Sequence, residues 1–304
     1  MEIVGPVYKA WNPQRKVSRR LLNSNKLKHI STYEILMEVL RFVKRYKVVT
    51  VRQIYYGLVS QQIINNNKSE YNRVVRIIKR ARLAGLLEFD KIIDDTREAQ
   101  KTPSWDSIED IINVAIDQYR SNWWVNQDYY VEVWLEKRAL SRIFYPITDL
   151  YDVYLCVGGG YQSWSEIWEA KKRFEEVGDK PIIILYFGDL DPSGKDMPRD
   201  IKERFQTLGI DIRVEEVALT RDDIEQYNLP RNPTKPGDTR KKWYIEKYDI
   251  TYGVELDALP PDVLRNKIGT AILRYCDVDL LIENMRKDEE DKERWRKILS
   301  DFSL

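Results

Sequence analysis

Acidic residues stand at the ends of two predicted strands. Residues 181–187 form an apolar run that predicts a buried strand, and Asp189 and Asp191 follow it closely. Upstream, apolar and polar residues alternate through residues 131–135, which predicts another strand, ending at Glu136. Because parallel strands share one carboxyl edge and carboxylate oxygens suit Mg²⁺, this order predicts a magnesium site. The alternative is that the two aspartates only begin a solvated turn.

A third predicted strand separates the two acidic ones. It covers residues 153–157 and is followed by a glycine triplet at residues 158–160 and a predicted helix at 165–177. Strands that alternate with helices predict an α/β fold with a parallel sheet. The glycines either allow a ligand to approach the backbone closely or merely turn the chain.

The amino-terminal half predicts three helices. Apolar spacing indicates the first helix at residues 30–46, and Thr50 with Gln53 forms a capping box that opens the second. The third helix is predicted to begin at Ser69 and to end before Gly85, with residues 86–93 returning as a strand. Three short helices followed by a wing strand are typical of a winged helix-turn-helix.

The third predicted helix has a basic face. No acidic residue occurs between positions 73 and 82, and the basic side chains are Arg73, Arg76, Lys79, Arg80 and Arg82. We expect this face to contact the phosphates of double-stranded DNA, which would supply affinity rather than sequence choice. The alternative is an ordinary solvated helix surface in a highly charged chain.

The acidic half resembles the Toprim domain of topoisomerases, primases and some nucleases. That family binds Mg²⁺ through a Glu after its first strand and an Asp-x-Asp after a later one, which implies Glu136, Asp189 and Asp191 as ligands. The Asp-x-Asp-Pro-x-Gly form, with Glu-Lys at the first strand, is most similar to the A subunit of topoisomerase VI and its meiotic double-strand-break relative. Gly159 departs from that pattern, since the family commonly has a Lys there.

The second helix carries the rest of the resemblance. Residues 52–56 are similar to the catalytic stretch of these A subunits, which implies Tyr56 as the nucleophile with Arg52 as its neighbouring cation. The alternative is that Tyr55 and Tyr56 both pack in the core. The resemblance extends over roughly residues 30 to 275, includes a Glu-containing segment at 254–260, and fits best the short variants called mini-A.

The resemblance implies a fold, an activity and partners. The fold is α/β, with an α-rich winged helix-turn-helix domain before a Toprim-like, Rossmannoid parallel sheet. The activity is Mg²⁺-dependent DNA cleavage that leaves a 5′-phosphotyrosyl link, by a homodimer in which Tyr56 faces the metal site of the other subunit. Strand passage would need a separate ATPase subunit of the B type. The alternatives are a Toprim nuclease that hydrolyses DNA and a non-catalytic DNA-binding accessory protein.

These patterns divide the chain into four parts. We expect a basic arm at residues 1–28, the winged-helix domain at 29–100, a connecting helix or linker at 101–128, and the Toprim-like domain with a C-terminal helical extension at 129–304. The tryptophans around the connection either pack it against the sheet or stack on bases.

Composition excludes several classes of function. Although 33% of the 304 residues are charged, the net charge is only +1, so DNA affinity must come from local patches. A single histidine, His29, excludes a Ser-His-Asp triad and a His-rich zinc site. The two cysteines indicate neither a zinc motif nor a disulfide framework. Since no signal peptide or membrane span is recognisable, we expect a cytoplasmic, nucleoid-associated protein.

Overall fold

The computed structural model describes residues 31–302 except 47, 94–101 and 236. The basic arm expected at residues 1–28 lies outside the described residues. In the described part, no helix is both long enough and apolar enough to cross a membrane.

The amino-terminal half contains the three expected helices. Its elements are α1 (Thr32–Tyr46), β1 (Val49–Thr50), α2 (Val51–Ser60), α3 (Lys68–Leu83) and β2 (Ile92–Ile93). The predicted capping box of Thr50 and Gln53 is confirmed at the start of α2. The predicted cap of α3 was wrong by two residues, because the Asn67 side chain, rather than that of Ser69, accepts from the Glu70 amide. The strand predicted at residues 86–93 was too long, because Phe89–Lys91 form a 3-10 turn and only β2 is a strand, which pairs in parallel with β1.

The second half alternates strands and helices. Its elements are α4 (Ile108–Gln118), β3 (Tyr130–Leu135), α5 (Ser141–Leu150), β4 (Tyr154–Val157), α6 (Trp164–Glu176), β5 (Ile182–Phe187), α7 (Pro192–Thr207), β6 (Arg213–Ala218), α8 (Arg221–Gln226), β7 (Asn232–Pro233), α9 (Lys241–Tyr248), β8 (Tyr252–Gly253), α10 (Pro261–Leu273) and α11 (Val278–Phe302). The three predicted strands of the sheet and the helix predicted at residues 165–177 are present, within one or two residues of their expected ends, whereas β6 was not predicted.

Four of these strands form a parallel sheet in the order β4-β3-β5-β6. The chain leaves β3 toward β4 on one side and then crosses to β5 on the other side. The carboxyl ends of β3 and β5 therefore lie side by side at the point where the strand order reverses, which is where open α/β sheets form a crevice. The protein thus has the expected mixed α/β class with a parallel sheet.

The two faces of the sheet pack against different layers. On one face, Trp134 and Ile184 pack with Phe174 of α6 and Phe205 of α7. On the other face, Leu135 and neighbouring residues belong to a hydrophobic cluster that continues into the three amino-terminal helices. Because this core is continuous, the helix that carries Tyr56 is packed directly onto the half of the protein that carries the sheet.

Tryptophan burial decides between the two roles proposed for the residues around the connection. Trp123, Trp124 and Trp134 are buried, and the Trp123 indole donates to Asp288 of α11 at 2.6 Å. Trp105, the other tryptophan near the connection, is exposed. Three of these rings therefore pack the connection against the sheet and α11 rather than offering a surface for bases.

Candidate active site

Glu136 and Asp189 lie next to each other at the switch point. The Asp189 amide donates to Glu136 Oε2 at 2.9 Å, which ties the end of β3 to the loop after β5. Burial raises the pKa of Glu136, and burial together with the charge of Glu136 raises the pKa of Asp189 to about 7. Two carboxylates held together in a poorly solvated place resist ionising simultaneously. A cation would relieve that strain.

Two glycines allow this loop to close. A Cβ on Gly188 would lie 2.7 Å from Glu136 Oε2, and a Cβ on Gly194 would lie 2.2 Å from the carbonyl oxygen of Asp189. A side chain at position 194 would displace the backbone of Asp189, and one at position 188 would crowd the Tyr186 ring as well as the Glu136 carboxylate. The glycines that flank the Asp-x-Asp are therefore a steric requirement of the site.

Asp191 has different hydrogen-bond partners from Asp189. Its Oδ1 accepts from the Gly194 amide at 2.8 Å and from the Ser193 hydroxyl at 2.7 Å, which caps the amino terminus of α7. In the described part of the chain, no three acidic, histidine or cysteine side chains are close enough together to hold a metal ion. The three predicted ligands therefore share one edge without forming a closed coordination set in this arrangement.

A lysine lies among the carboxylates at this edge. Lys137 Nζ is 3.1 Å from Asp189 Oδ1, 2.7 Å from Glu255 Oε2 and 2.8 Å from Asp257 Oδ2. Asp257 is fully buried, and the three carboxylates raise the pKa of Lys137 above its usual value. The ammonium therefore acts as the resident counter-cation of the site. No pattern in the sequence predicted a role for this lysine.

Arg52 extends this network to the candidate nucleophile. Its Nη2 donates to Glu255 Oε2, and its Nε lies 3.7 Å from Asp257 Oδ2. The Tyr56 hydroxyl contacts the side chains of Arg52, Glu255 and Asn232. Burial and the charge of Glu255 raise the pKa of Tyr56 to about 12, against the lowering effect of Arg52. The phenol is therefore protonated at neutral pH and needs activation before it can attack.

Tyr56 lies on the wall of a cavity of about 440 Å³. Lys68 and Asn232 also line the cavity, and Asn66 donates to Asn232 Oδ1 at 2.6 Å across its mouth. The Tyr55 hydroxyl instead donates to Asn66 Oδ1 at 2.9 Å, so the two adjacent tyrosines have different surroundings. A larger cavity of about 1110 Å³ lies beside the edge strand β4 and contains none of the predicted site residues.

A hairpin of two short strands, whose connection contains α9, joins the region of the tyrosine to the sheet edge. In it, β7 pairs with β8, and Val254 exchanges two 2.9 Å backbone hydrogen bonds with Leu190 of the Asp-x-Asp loop. The Leu256 amide then donates to Asp189 Oδ1 at 2.8 Å. This hairpin and the turn after it deliver Asn232, Glu255 and Asp257 to the site. The resemblance of residues 254–260 to a Glu-containing family segment was the only signal for this region.

The basic face of α3 is partly used inside the protein. Arg76, Lys79 and Arg80 are exposed, as predicted for a surface that meets phosphates. Arg73 pairs with Glu70 at 3.3 Å, and Arg82 donates to the backbone carbonyls that lead into β2. The candidate DNA contacts on this helix therefore narrow to the three exposed cations.

The donor chemistry of the edge fits Mg²⁺. Buried or half-buried carboxylates outnumber the two cations Lys137 and Arg52, and Asp257 Oδ1 is buried without a hydrogen-bond partner. The pKa values of Glu136 and Asp189 are raised by burial and by this excess of negative charge. Mg²⁺ usually takes one or two protein carboxylates and completes its shell with water or phosphate, so a closed set of three is not required.

Comparison with known proteins adds no family assignment. No protein-family model matches this chain, and a search of curated proteins finds no match either.

Proposed function

We propose that this protein is a DNA-cleaving enzyme of the type IIB topoisomerase A-subunit kind, with Tyr56 as the nucleophile. In this proposal the amino-terminal half is a winged helix-turn-helix and the sheet half is a Toprim domain. One observation carries the proposal. A continuous set of interacting polar groups runs from the buried Tyr56 through the partly exposed Arg52 and Glu255 to Lys137 and to Asp189 at the switch point.

Each residue of this set has a place in the reaction. Glu136 and Asp189, with Asp191 beside them, would hold Mg²⁺, which neutralises a phosphate and stabilises the leaving oxygen. Glu255 contacts the Tyr56 hydroxyl and is the carboxylate placed to accept its proton. Arg52 stabilises the resulting phenolate. The Tyr56 oxygen then bonds to phosphorus as the bond to the 3′-oxygen breaks, and that oxygen takes a proton from solvent.

The partners follow from the same proposal. Double-stranded DNA lies on Arg76, Lys79 and Arg80, and a homodimer makes one cut in each strand. Within a single chain, Tyr56 contacts its own Glu255. If Tyr56 serves the metal site of the other subunit, as in the family that the sequence resembles, the contact between Tyr56 and its own Glu255 has to open first. A separate ATPase subunit would drive strand passage.

The test is cleavage of supercoiled plasmid in Mg²⁺, followed by denaturation with and without protease. Wild-type protein should leave protein covalently attached to the 5′ ends of the cut DNA. Tyr56→Phe and Asp189→Asn should abolish the adduct. Tyr55→Phe is the matched control, because it removes the neighbouring hydroxyl, which bonds to Asn66 and not to the network. An adduct that survives Tyr56→Phe contradicts the proposal.

One observation favours a second function, a Toprim nuclease that hydrolyses DNA. The pKa of Tyr56 is raised to about 12, which makes the phenol a poor nucleophile, whereas the pKa of Asp189 lies at about 7, in the range of a general base. Cleavage that needs Asp189, survives Tyr56→Phe and leaves no attached protein would identify this hydrolytic enzyme. DNA binding without cleavage under any condition would identify an accessory protein.

A further inference from the structure

Lys137 and Arg52 share the same carboxylate oxygens. Glu255 Oε2 accepts from Lys137 Nζ at 2.7 Å and also from Arg52. Asp257 Oδ2 lies 2.8 Å from Lys137 Nζ and 3.7 Å from Arg52 Nε. The position of one cation therefore sets the position of the other, because both are balanced against the same two negative charges.

Three separate segments meet at the Lys137 ammonium. Its own backbone follows β3, Asp189 follows β5, and Glu255 and Asp257 follow the β7–β8 hairpin. An ammonium is a compact charge with three donors, which suits three carboxylates that approach from different directions. A single side-chain cation therefore contacts all three segments, in addition to the hydrogen bonds that tie the Asp189 amide to Glu136 and the Leu256 amide to Asp189.

We infer that Lys137 is a positioning residue, which holds Arg52 and Tyr56 in register with the carboxylates at the carboxyl ends of β3 and β5. The structural part of this inference stands alone, whereas its effect on catalysis rests on the proposed function. Without the ammonium, Arg52 is the remaining cation for the Glu255 and Asp257 carboxylates, and Asp257 is fully buried. Arg52 is then drawn toward those two groups and away from the Tyr56 hydroxyl, so the tyrosine loses its neighbouring positive charge.

The first experiment needs neither DNA nor metal. Tyrosine labelled with ¹³C at Cζ gives one NMR signal per ring, and Tyr56→Phe identifies the signal of Tyr56. Lys137→Met should shift that signal, and Lys137→Arg should return it toward the wild-type position. The matched control is Lys267→Met, which removes an ammonium 2.7 Å from the buried Asp223 on the helices α8 and α10. The control should leave the Tyr56 signal in place.

The second experiment measures single-turnover cleavage of DNA. Lys137→Met should slow formation of the tyrosyl adduct about 10- to 100-fold, as expected when a group that orients a site is removed. The dissociation constant for DNA should stay the same, and Lys137→Arg should recover part of the rate. A loss of DNA affinity that accounts for the whole change would overturn the inference.

The two experiments separate this inference from the proposed function. A shifted Tyr56 signal in a protein that never cleaves DNA supports positioning by Lys137 and removes the catalytic proposal. An unshifted signal in folded Lys137→Met overturns the inference, whatever the cleavage result. If Lys137→Met does not fold, Asp257→Asn replaces it, because it removes a charge shared by both cations. An unshifted Tyr56 signal in Asp257→Asn would likewise overturn the inference.

Discussion

Glu132, in the middle of β3, and Glu136, directly after the end of that strand, have opposite surroundings. Glu132 in the middle of β3 is fully buried, and both of its oxygens accept from Arg173, at 2.7 and 3.0 Å. Trp134 and Tyr130 each donate a further hydrogen bond at 2.9 Å. Four residues later, Glu136 accepts from a backbone amide and, at 3.4 Å, from a tyrosine hydroxyl, while the charge of Asp191 raises its pKa and that of Lys137 lowers it.

This contrast separates a structural carboxylate from a functional one. Glu132 lies in the sheet beneath α6, where Arg173 and the neighbouring strand residues supply its partners. Glu136 lies at the open switch point, where burial and neighbouring carboxylates keep its pKa raised and part of the counter-charge has to come from outside. Carboxylates that lie close together at a strand end without enough partners thus favour a bound cation. A carboxylate in mid-strand whose hydrogen bonds are all made is part of the core.

Replacing each of these two glutamates with glutamine, in separate variants, should give the largest effects on cleavage and on stability. Glu136→Gln should reduce Mg²⁺-dependent cleavage about 1000-fold, because metal stabilisation is worth several kcal/mol and each ~1.4 kcal/mol is tenfold in rate. It should leave the free energy of unfolding unchanged or higher, since a strained charge is removed. Glu132→Gln should lower that free energy by about 3 kcal/mol, because Arg173 loses its buried partner.

The pair is measured by single-turnover cleavage and by urea unfolding. Both variants carry the same glutamate-to-glutamine change, one within β3 and one directly after it. Each therefore serves as the control for the other. The contrast between the two glutamates is wrong if Glu136→Gln unfolds the protein while Glu132→Gln abolishes cleavage without loss of stability.

The second prediction concerns the exposed face of α3. Replacing Arg76, Lys79 and Arg80 with glutamine should weaken DNA binding and lower the salt slope of affinity by about 0.9 for each lost phosphate contact. Fluorescence anisotropy at several salt concentrations measures both quantities. The control removes three cations of α11 that pair with acids of their own helix, namely Arg286, Lys287 and Arg294. An equal loss in the control would assign the effect to net charge alone.

The third prediction uses pH to test the strained cluster without DNA. The pKa of Asp189 is about 7 in the fold, against 3.8 ordinarily, so the folded state binds more protons between these values. The contribution of this group to stability in EDTA should therefore be greatest below pH 4 and should be lost as pH rises through 7. A difference of one between the folded and unfolded pKa values corresponds to ~1.4 kcal/mol.

The measurement is the free energy of unfolding in EDTA at about pH 5.5 and about pH 8, on either side of the folded pKa. Asp189→Asn should flatten the dependence, and Mg²⁺ should restore stability to the wild type at the higher pH because the metal replaces the proton. A pH dependence unchanged in Asp189→Asn would contradict the proposed strain at this edge.

The smallest expected effect comes from Gly253 of β8. A Cβ there would lie 3.2 Å from the Asp191 Cβ and 3.4 Å from the Leu190 carbonyl, which requires a shift of a few tenths of an ångström. Gly253→Ala should slow cleavage up to about tenfold with little loss of stability, since catalysis is sensitive to small misplacements. Gly269→Ala, whose added Cβ would meet atoms at ordinary distances of 3.8 Å and more, is the control in the same cleavage assay. Equal rates for the two variants would show that the hairpin does not set the geometry of the site.

Local signals in the sequence predicted the amino-terminal helices and most of the sheet. Alternating and apolar runs located three of its four strands, β3, β4 and β5, but not β6, and Thr50 with Gln53 marked the start of α2. The cap of α3 was misplaced because Asn67 and Ser69 are both good capping residues and only the backbone conformation chooses between them. The role of Asp191 as a helix cap was readable in principle, since Asp-Pro is a common way to begin a helix.

Neighbours along the chain are enough to specify the strand ends, the acidic residues that occupy them and the basic face of one helix. Only the folded chain shows that Lys137 joins Asp189 to Glu255 and Asp257, and that Arg52 and Tyr56 contact the same group. Arg52 and Glu255, for example, are 203 positions apart in the chain. Contacts of this kind follow from the packing of a hairpin against a sheet edge, which no local pattern of residue types encodes.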